Sequence, residues 1–135
     1  MNKTLKHILI WIWCFPQMFI GLIYYLILKK SITKMEFYKG VPIYCFKGKI
    51  IFGLSLGRWI FIEERIYNLK TIKHEYGHKR QNYMFGPLAI IFFDLPSTIL
   101  FFISKLSKKV KRNYYNYFPE KWADKLGEVK RNKNL

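Results

Sequence analysis

The stretch "NLKTIKHEYGHKRQNYMF", residues 68–85, decides how the chain is read. No proline interrupts it and Gly86-Pro87 follows as a stop, so it predicts one helix. Ile72, Tyr76 and Tyr83 can lie on its apolar faces. His74 and His78 stand four apart and therefore share a side. Two imidazoles so placed can reach one ion, and Zn²⁺ takes histidine nitrogens at about 2.0–2.1 Å. Glu75 lies one position round the helix, too close in sequence to be an easy third ligand. It can instead address water beside the metal, the general-base role of the glutamate in an HExxH helix.

A catalytic zinc keeps three protein ligands. The chain has only eight acidic residues, and two of them stand in "EKWAD" as Glu120 and Asp124. Pro119 sets the start of a short helix there. On that helix the two carboxylates share a face. Glu120 can supply the third ligand, and Asp124 can accept the free ring N–H of a ligating histidine, fixing its tautomer. The competing reading of the same residues is a solvated helix of alternating charge, with Lys121 and Lys125 between the acids.

Upstream, "VPIYCFKGKIIFGLSLGRWIFIEE", residues 41–64, is rich in Ile, Phe, Tyr and Trp and punctuated by glycine. It predicts short strands over 42–46, 49–54 and 58–63 joined by tight turns. Two long apolar stretches flank this region. Residues 8–28 carry no charge over the length that crosses ~30 Å of hydrocarbon. Lysines stand at both ends, with Trp11, Trp13, Tyr24 and Tyr25 toward the interfaces. No small-residue cleavage site is visible, so the stretch reads as an uncleaved transmembrane anchor kinked at Pro16. Residues 86–103, "GPLAIIFFDLPSTILFFI", are slightly short for a span and are interrupted by Asp94 and Pro96.

The chain has 135 residues, 51% hydrophobic, with a formal net charge of +16. Apolar and charged residues lie in separate blocks, as in a membrane protein whose basic flanks meet anionic headgroups. Nucleic-acid binding would also suit the charge, but no recognition motif accompanies it, and no nucleic acid is expected as a partner. Cys14 and Cys45 form neither a CxxC pair nor a disulfide framework. The bias toward Lys, Asn, Ile and Tyr points to an AT-rich bacterium. The tail from Lys130 onward reads as frayed.

His74-Glu75-Tyr76-Gly77-His78 followed by Glu120-Lys121-Trp122-Ala123-Asp124 resembles the gluzincin pattern, HExxH then ExxxD. Thermolysin-like peptidases and membrane-embedded CAAX-prenyl endopeptidases share it. A closer likeness is to small bacterial membrane proteins carrying an SLG-aromatic-IF strand, an HEYGH helix, a GP…LPS apolar segment and EKWADKLG, covering roughly residues 53–128 here. The resemblance implies zinc ligands His74, His78 and Glu120, the base Glu75, and Asp124 behind the ligands. Soluble gluzincins place the glutamate about twenty residues after the helix, whereas some forty intervene here.

Those ligands constrain topology. A single crossing by residues 86–103 would part the two halves of the site by ~30 Å. A break at Asp94-Leu95-Pro96 would let the segment return as a re-entrant hairpin, with Asp94 capping its second arm. The other solution is a site sunk within the membrane, with a longer helix that folds back later. Zincin sites set an edge strand beside the metal, and Leu54, Ser55, Leu56, Gly57 and Arg58 are the candidate substrate-binding residues. Arg58 can meet a substrate carboxylate or a lipid phosphate. Tyr114, Tyr115 and Tyr117 stand near Glu120; an interfacial aromatic belt is the first explanation for them, and donation by one of them to an oxyanion is the other.

The expectation is an α+β membrane protein: a minimal zincin-like core of short strands and an HExxH helix, one N-terminal transmembrane helix, and one re-entrant or second membrane helix. Residues 1–30 would form the anchor and 31–135 the catalytic domain, including the inserted segment 86–103. The expected activity is zinc-dependent hydrolysis of a peptide or membrane-protein substrate, with one Zn²⁺, at the cytoplasmic face of a bacterial cell membrane. The alternatives are a non-hydrolytic zinc-binding membrane accessory protein, and a basic membrane-active protein in which HEYGH is accidental.

Overall fold

The structure, a computed structural model, describes residues 1–131. The described residues form an α+β fold of six α-helices and one four-stranded sheet. β1 (Ile32–Tyr38) and β2 (Val41–Phe46) make an antiparallel hairpin, as do β3 (Gly53–Leu56) and β4 (Trp59–Glu63). The hairpins join through a parallel β2–β4 pairing, giving the order β1-β2-β4-β3. The first hairpin closes on Lys39 and Gly40, both with positive φ, the two-residue turn that suits right-handed strand twist. β2 and β4 fall within a residue of the expected strands. β3 begins four residues later than expected, at Gly53. β1 was not foreseen, because its five central residues are all exposed and show no apolar alternation.

Alternation along β2 and β4 gives the sheet two apolar faces. Val41, Ile43, Ile60 and Ile62 point to one side and enclose Ile72 of α3 (Leu69–Phe85). Tyr44, Trp59 and Phe61 point to the other, where they stack with one another and with Tyr25 of α2 (Phe15–Leu28). Full burial of such side chains stabilises by about 1.5–3 kcal/mol each. α2 lies close on this face, since a Cβ at Gly21 would enter the Trp59 indole. Trp59 Nε1 donates to the Met18 carbonyl at 3.1 Å.

The N-terminal stretch departs from the expected single anchor. α1 (Lys3–Trp13) and α2 meet at Cys14 with a bend of 99°. Pro16 in the first turn of α2 lacks an N–H and would clash with the carbonyl four residues back, so a straight helix is excluded. Tertiary bonds hold the corner: Trp13 Nε1 donates to the Tyr83 carbonyl at 2.8 Å, and Gln17 Nε2 to the Gly86 carbonyl at 2.5 Å. At 1.5 Å per residue the two helices span about 17 and 21 Å, each short of ~30 Å of hydrocarbon. Among the described residues no single helix is long and apolar enough to cross a membrane; the bent pair passes by length and composition together.

The expected hairpin at Asp94-Leu95-Pro96 is also absent. After a 3₁₀ turn at Gly86–Leu88, a π-helical turn at Ile90–Asp94 runs directly into α4 (Leu95–Leu106). Asp94 and Leu95 both have helical dihedrals, and Asp94 makes no cap. The wider π turn lets the helix absorb Pro96 without reversing. The chain turns back later, at Ser107, whose backbone is extended and whose Oγ accepts from Val110 N to start α5 (Lys108–Arg112). A 3₁₀ turn at Tyr114–Asn116 then delivers the chain to α6 (Glu120–Leu126). This is the longer helix folding back later.

Candidate metal site and cleft

α3 starts where Asn68 Oδ1 accepts from Thr71 N at 2.9 Å, and it matches the expected helix to within a residue. The last of its turns ends at Gly86, whose φ of 56° is open to glycine. α6 lies directly against α3. A Cβ at Gly77 would fall on the Ala123 carbonyl, and one at Gly127 on the Lys73 carbonyl. Glycine at both positions lets the backbones approach, and that approach brings the carboxylates of α6 to the histidines of α3.

Glu120 Oε2 lies 2.8 Å from His74 Nε2 and 3.0 Å from His78 Nε2. Glu120 is 1% exposed. The second nitrogen of each ring has its own acceptor: His74 Nδ1 lies 2.7 Å from Asp124 Oδ1, and His78 Nδ1 lies 2.8 Å from Gln81 Oε1. Gln81 is fixed in that sense because its Nε2 donates to the Pro119 carbonyl at 3.2 Å. Both Nε2 lone pairs are thereby aimed at one point. Ser97 Oγ donates to Glu120 Oε1, leaving Oε2 for the shared point. Arg131 donates to both oxygens of Asp124, at 2.6 and 3.0 Å.

This buried His-His-Glu cluster can hold a metal ion. Tetrahedral ligands at about 2.05 Å sit about 3.3 Å apart, so the two glutamate–histidine spacings need open by only a few tenths of an ångström, and all three ligand atoms lie within 4.8 Å of one another. Two imidazoles and one carboxylate, with both Nδ1 atoms anchored, form a donor set suited to a borderline-soft divalent cation.

Electrostatics tie the three groups together. Burial alone would raise the Glu120 carboxyl, but the His78 charge and the bonds from both histidines hold it well below the usual carboxylate range. Burial would lower His78, yet the Glu120 charge and hydrogen bond lift it to about 10. His74 is likewise raised, Asp124 and Glu120 outweighing burial. Bonds from His74 and Arg131 overcome burial to lower Asp124. Glu75 differs: burial pushes its carboxyl up, and its Oε2 is buried with no hydrogen-bond partner. A Cβ at Gly53 would fall on the Glu75 carboxylate, so glycine on β3 makes room for it.

His74, Glu75, His78 and Glu120 line a cleft of about 790 Å³ between β3 and α4. Leu54, Ser55 and Leu56 line it as expected for their strand, and Ser55 Oγ is buried without a partner. β3 pairs only with β4, so its other edge faces the site unpaired. Gly57 and Arg58 lie elsewhere: Gly57 packs on Met18 and donates to Asn82 Oδ1, while Arg58 meets His7. Asp94 also lines the cleft, where Oδ1 accepts from Asn82 Nδ2 at 2.9 Å. Pro96 serves the first turn of α4. Of the three tyrosines, Tyr114 and Tyr115 border the cleft and Tyr117 does not. Tyr115 stands edge-on to His74 and under Arg131. Burial, then the Glu120 and Glu75 charges, raise the Tyr114 phenol well above its ordinary value.

The sequence reading missed Gln81, Ser97 and Arg131. Gln81 could have been found, because it lies one turn after His78 on the same helix. Nothing local marked Ser97 or Arg131. Arg131 falls in the tail read as frayed, but Asp124 holds it; residues 132–135 lie outside the described residues. No protein-family model, curated protein or solved structure matches the chain.

Proposed function

We propose that the protein is a zinc-dependent endopeptidase working at a membrane surface. The observation that carries the reading is the buried, unpartnered Oε2 of Glu75 beside the His74–His78–Glu120 cluster, at the floor of a cleft bordered by an unpaired strand edge. A zinc ion held by those three residues supplies, when bound, Lewis-acid polarisation of a carbonyl and of water. Asp124 and Gln81 keep the two rings in the required tautomer, and Ser97 orients Glu120. Glu75, with its affinity for a proton raised by burial, takes one from the attacking water and returns it to the departing amine nitrogen. Extended peptide can add to β3 through backbone hydrogen bonds, which places its carbonyl over the cluster. Tyr114, kept protonated, is a donor toward the developing oxyanion.

Membrane association is supported by large apolar side chains left exposed on α1, α2, the π-helical turn and α4, among them Ile12, Ile27, Ile91 and Phe102, each more than 60% exposed. Most Lys and Arg follow residue 28, and the positive-inside rule assigns that part to the cytoplasm. Peptides or membrane proteins at that face are the substrate class. The test is Glu75→Gln with zinc content and cleavage of a mixed peptide library measured side by side. The expected result is retained zinc with cleavage lost by at least ~10²-fold. A zinc-replete wild type that cleaves nothing would overturn the hydrolytic reading and leave a metal-binding accessory protein.

A further inference from the structure

Arg58 is left without a role in the cleft, and its surroundings give it another. It stands in the β3–β4 turn with its backbone fixed, Arg58 N donating to Met18 Sδ at 3.2 Å. Its Nη1 lies 2.8 Å from His7 Nδ1, on the helix that projects from the bend. Lys6 adjoins His7 on α1, and Lys79 of α3 is 9% exposed with its ammonium over the Tyr76 and Tyr83 rings. The positive charges of Lys6, Arg80 and Arg58, after burial, push Lys79 down to about 8, so these cations share one field. Each ion pair among the described residues lies elsewhere, and none includes Lys6, Arg58 or Lys79. A guanidinium that meets an imidazole and no carboxylate, the imidazole standing next in sequence to the Lys6 cation, offers a binding surface for an oxyanion.

An open apolar face continues from the same corner. It runs along α1 over Ile8, Trp11, Ile12 and Phe15, with His7 and Thr4 at its polar end. α1 buries none of its residues, so this face has no protein partner. Charge at one end and hydrocarbon along the rest match an amphiphile, which a free phosphate ion does not.

We propose that this corner binds an anionic phospholipid, its phosphate held by Arg58, His7 and Lys6 and one acyl chain laid along Ile8, Trp11, Ile12 and Phe15. Arg58 gives the phosphate two parallel N–H donors and His7 a third. The site is separate from the metal cluster and stands whether or not the protein hydrolyses peptides.

The test uses the full chain in bilayer discs of phosphatidylcholine containing a minor fraction of phosphatidylglycerol, with retained lipid counted by native mass spectrometry after mild extraction. Wild type is expected to retain phosphatidylglycerol in preference to phosphatidylcholine. His7→Gln should lower that retention about tenfold, the loss of one charge-assisted bond, and Arg58→Gln, which loses two, by more than that. Lys108→Gln with Lys109→Gln, which removes two exposed charges elsewhere, should leave it unchanged. Inorganic phosphate should not displace the lipid. Equal retention of the two lipids, an Arg58→Gln protein that binds as wild type, or equal losses in the Lys108/Lys109 control would each overturn the site. Displacement by inorganic phosphate would overturn the lipid as its ligand. Circular dichroism of every variant checks folding, and His7→Gln, on an exposed helix, carries the test if Arg58→Gln does not fold.

Discussion

Gly77→Ala tests the packing on which the metal site rests. The new Cβ would fall on the Ala123 carbonyl oxygen and lie 3.0 Å from Ala123 Cα. A carbon–oxygen contact needs about 3.3 Å, so α6 has to recede by roughly 1.4 Å. Ala123 sits between Glu120 and Asp124, and its displacement carries both carboxylates with it. Bonds to His74 now at 2.7 and 2.8 Å would approach 4 Å and break. Alanine gains about 1 kcal/mol of helix propensity over glycine, but overpacking costs about 1–3 kcal/mol, so the variant is destabilised on balance. Losing ligand orientation lowers metal affinity about 10–100-fold. Zinc competition against a chromophoric chelator reads the affinity, and thermal melts with and without zinc read the stability. Lys125→Ala, on the exposed side of α6, is the control. Wild-type zinc affinity and melting temperature in Gly77→Ala would refute the claim that close helix approach assembles the site.

Gly53→Ala should push against the Glu75 carboxylate and cut hydrolysis at least ~10-fold while zinc content holds, as measured by metal analysis beside peptide cleavage. Asp124→Asn should weaken zinc binding about 10–100-fold in the same chelator competition, because the His74 Nδ1–H loses its charged acceptor. Proton competition sets a pH dependence. In protein stripped by chelator, His78 is raised from 6.5 to about 10, so each metal ion bound there displaces a proton. In zinc titrations, apparent affinity should therefore climb at least tenfold per pH unit as pH rises toward about 10, His74 steepening the slope wherever it too holds a proton. The stripped protein should behave oppositely. The stability that His78 gains is present below pH 6.5 and is lost as pH rises through about 10. That of Glu120, whose carboxyl is depressed, is present above pH 4.5 and lost on acidification. Chemical denaturation of stripped protein should thus be hardest between about pH 4.5 and 6.5.

Features carried by short-range pattern were legible: the α3 boundaries, the strands β2 and β4 with their alternating apolar residues, and the His74, His78, Glu120, Asp124 set. Features decided at a distance were not. Residues 8–28 have the length and apolarity of a span, and only the bonds from Trp13 and Gln17 to the end of α3 reveal a corner. Pro16 and Pro96 look alike in sequence as helix breakers. One ends in a 99° bend and the other is absorbed by a π turn, because what packs against each differs. Arg58 adjoins the strand that borders the cleft, but a two-residue turn points it at His7 instead.

The long gap between His78 and Glu120 ceases to be an obstacle once the contact that assembles the site is identified. Gly77 and Gly127 dock α3 on α6 through backbone-to-backbone approach, and the intervening chain adds to that docking through Phe93, packed on Phe85 and Trp122, and the Pro119 carbonyl, which accepts from Gln81. Loop closure costs only about 0.6 kcal/mol for each doubling of length, so a gap of forty in place of twenty is a small thermodynamic change. The insertion also contributes to the site it spans. Its helix α4 forms one wall of the cleft and brings Ser97 to Glu120, and its return limb brings Tyr114 beside them. The ligand set is therefore defined by a helix–helix contact, and the apolar insert supplies the polar groups that orient the one ligand coming from beyond it.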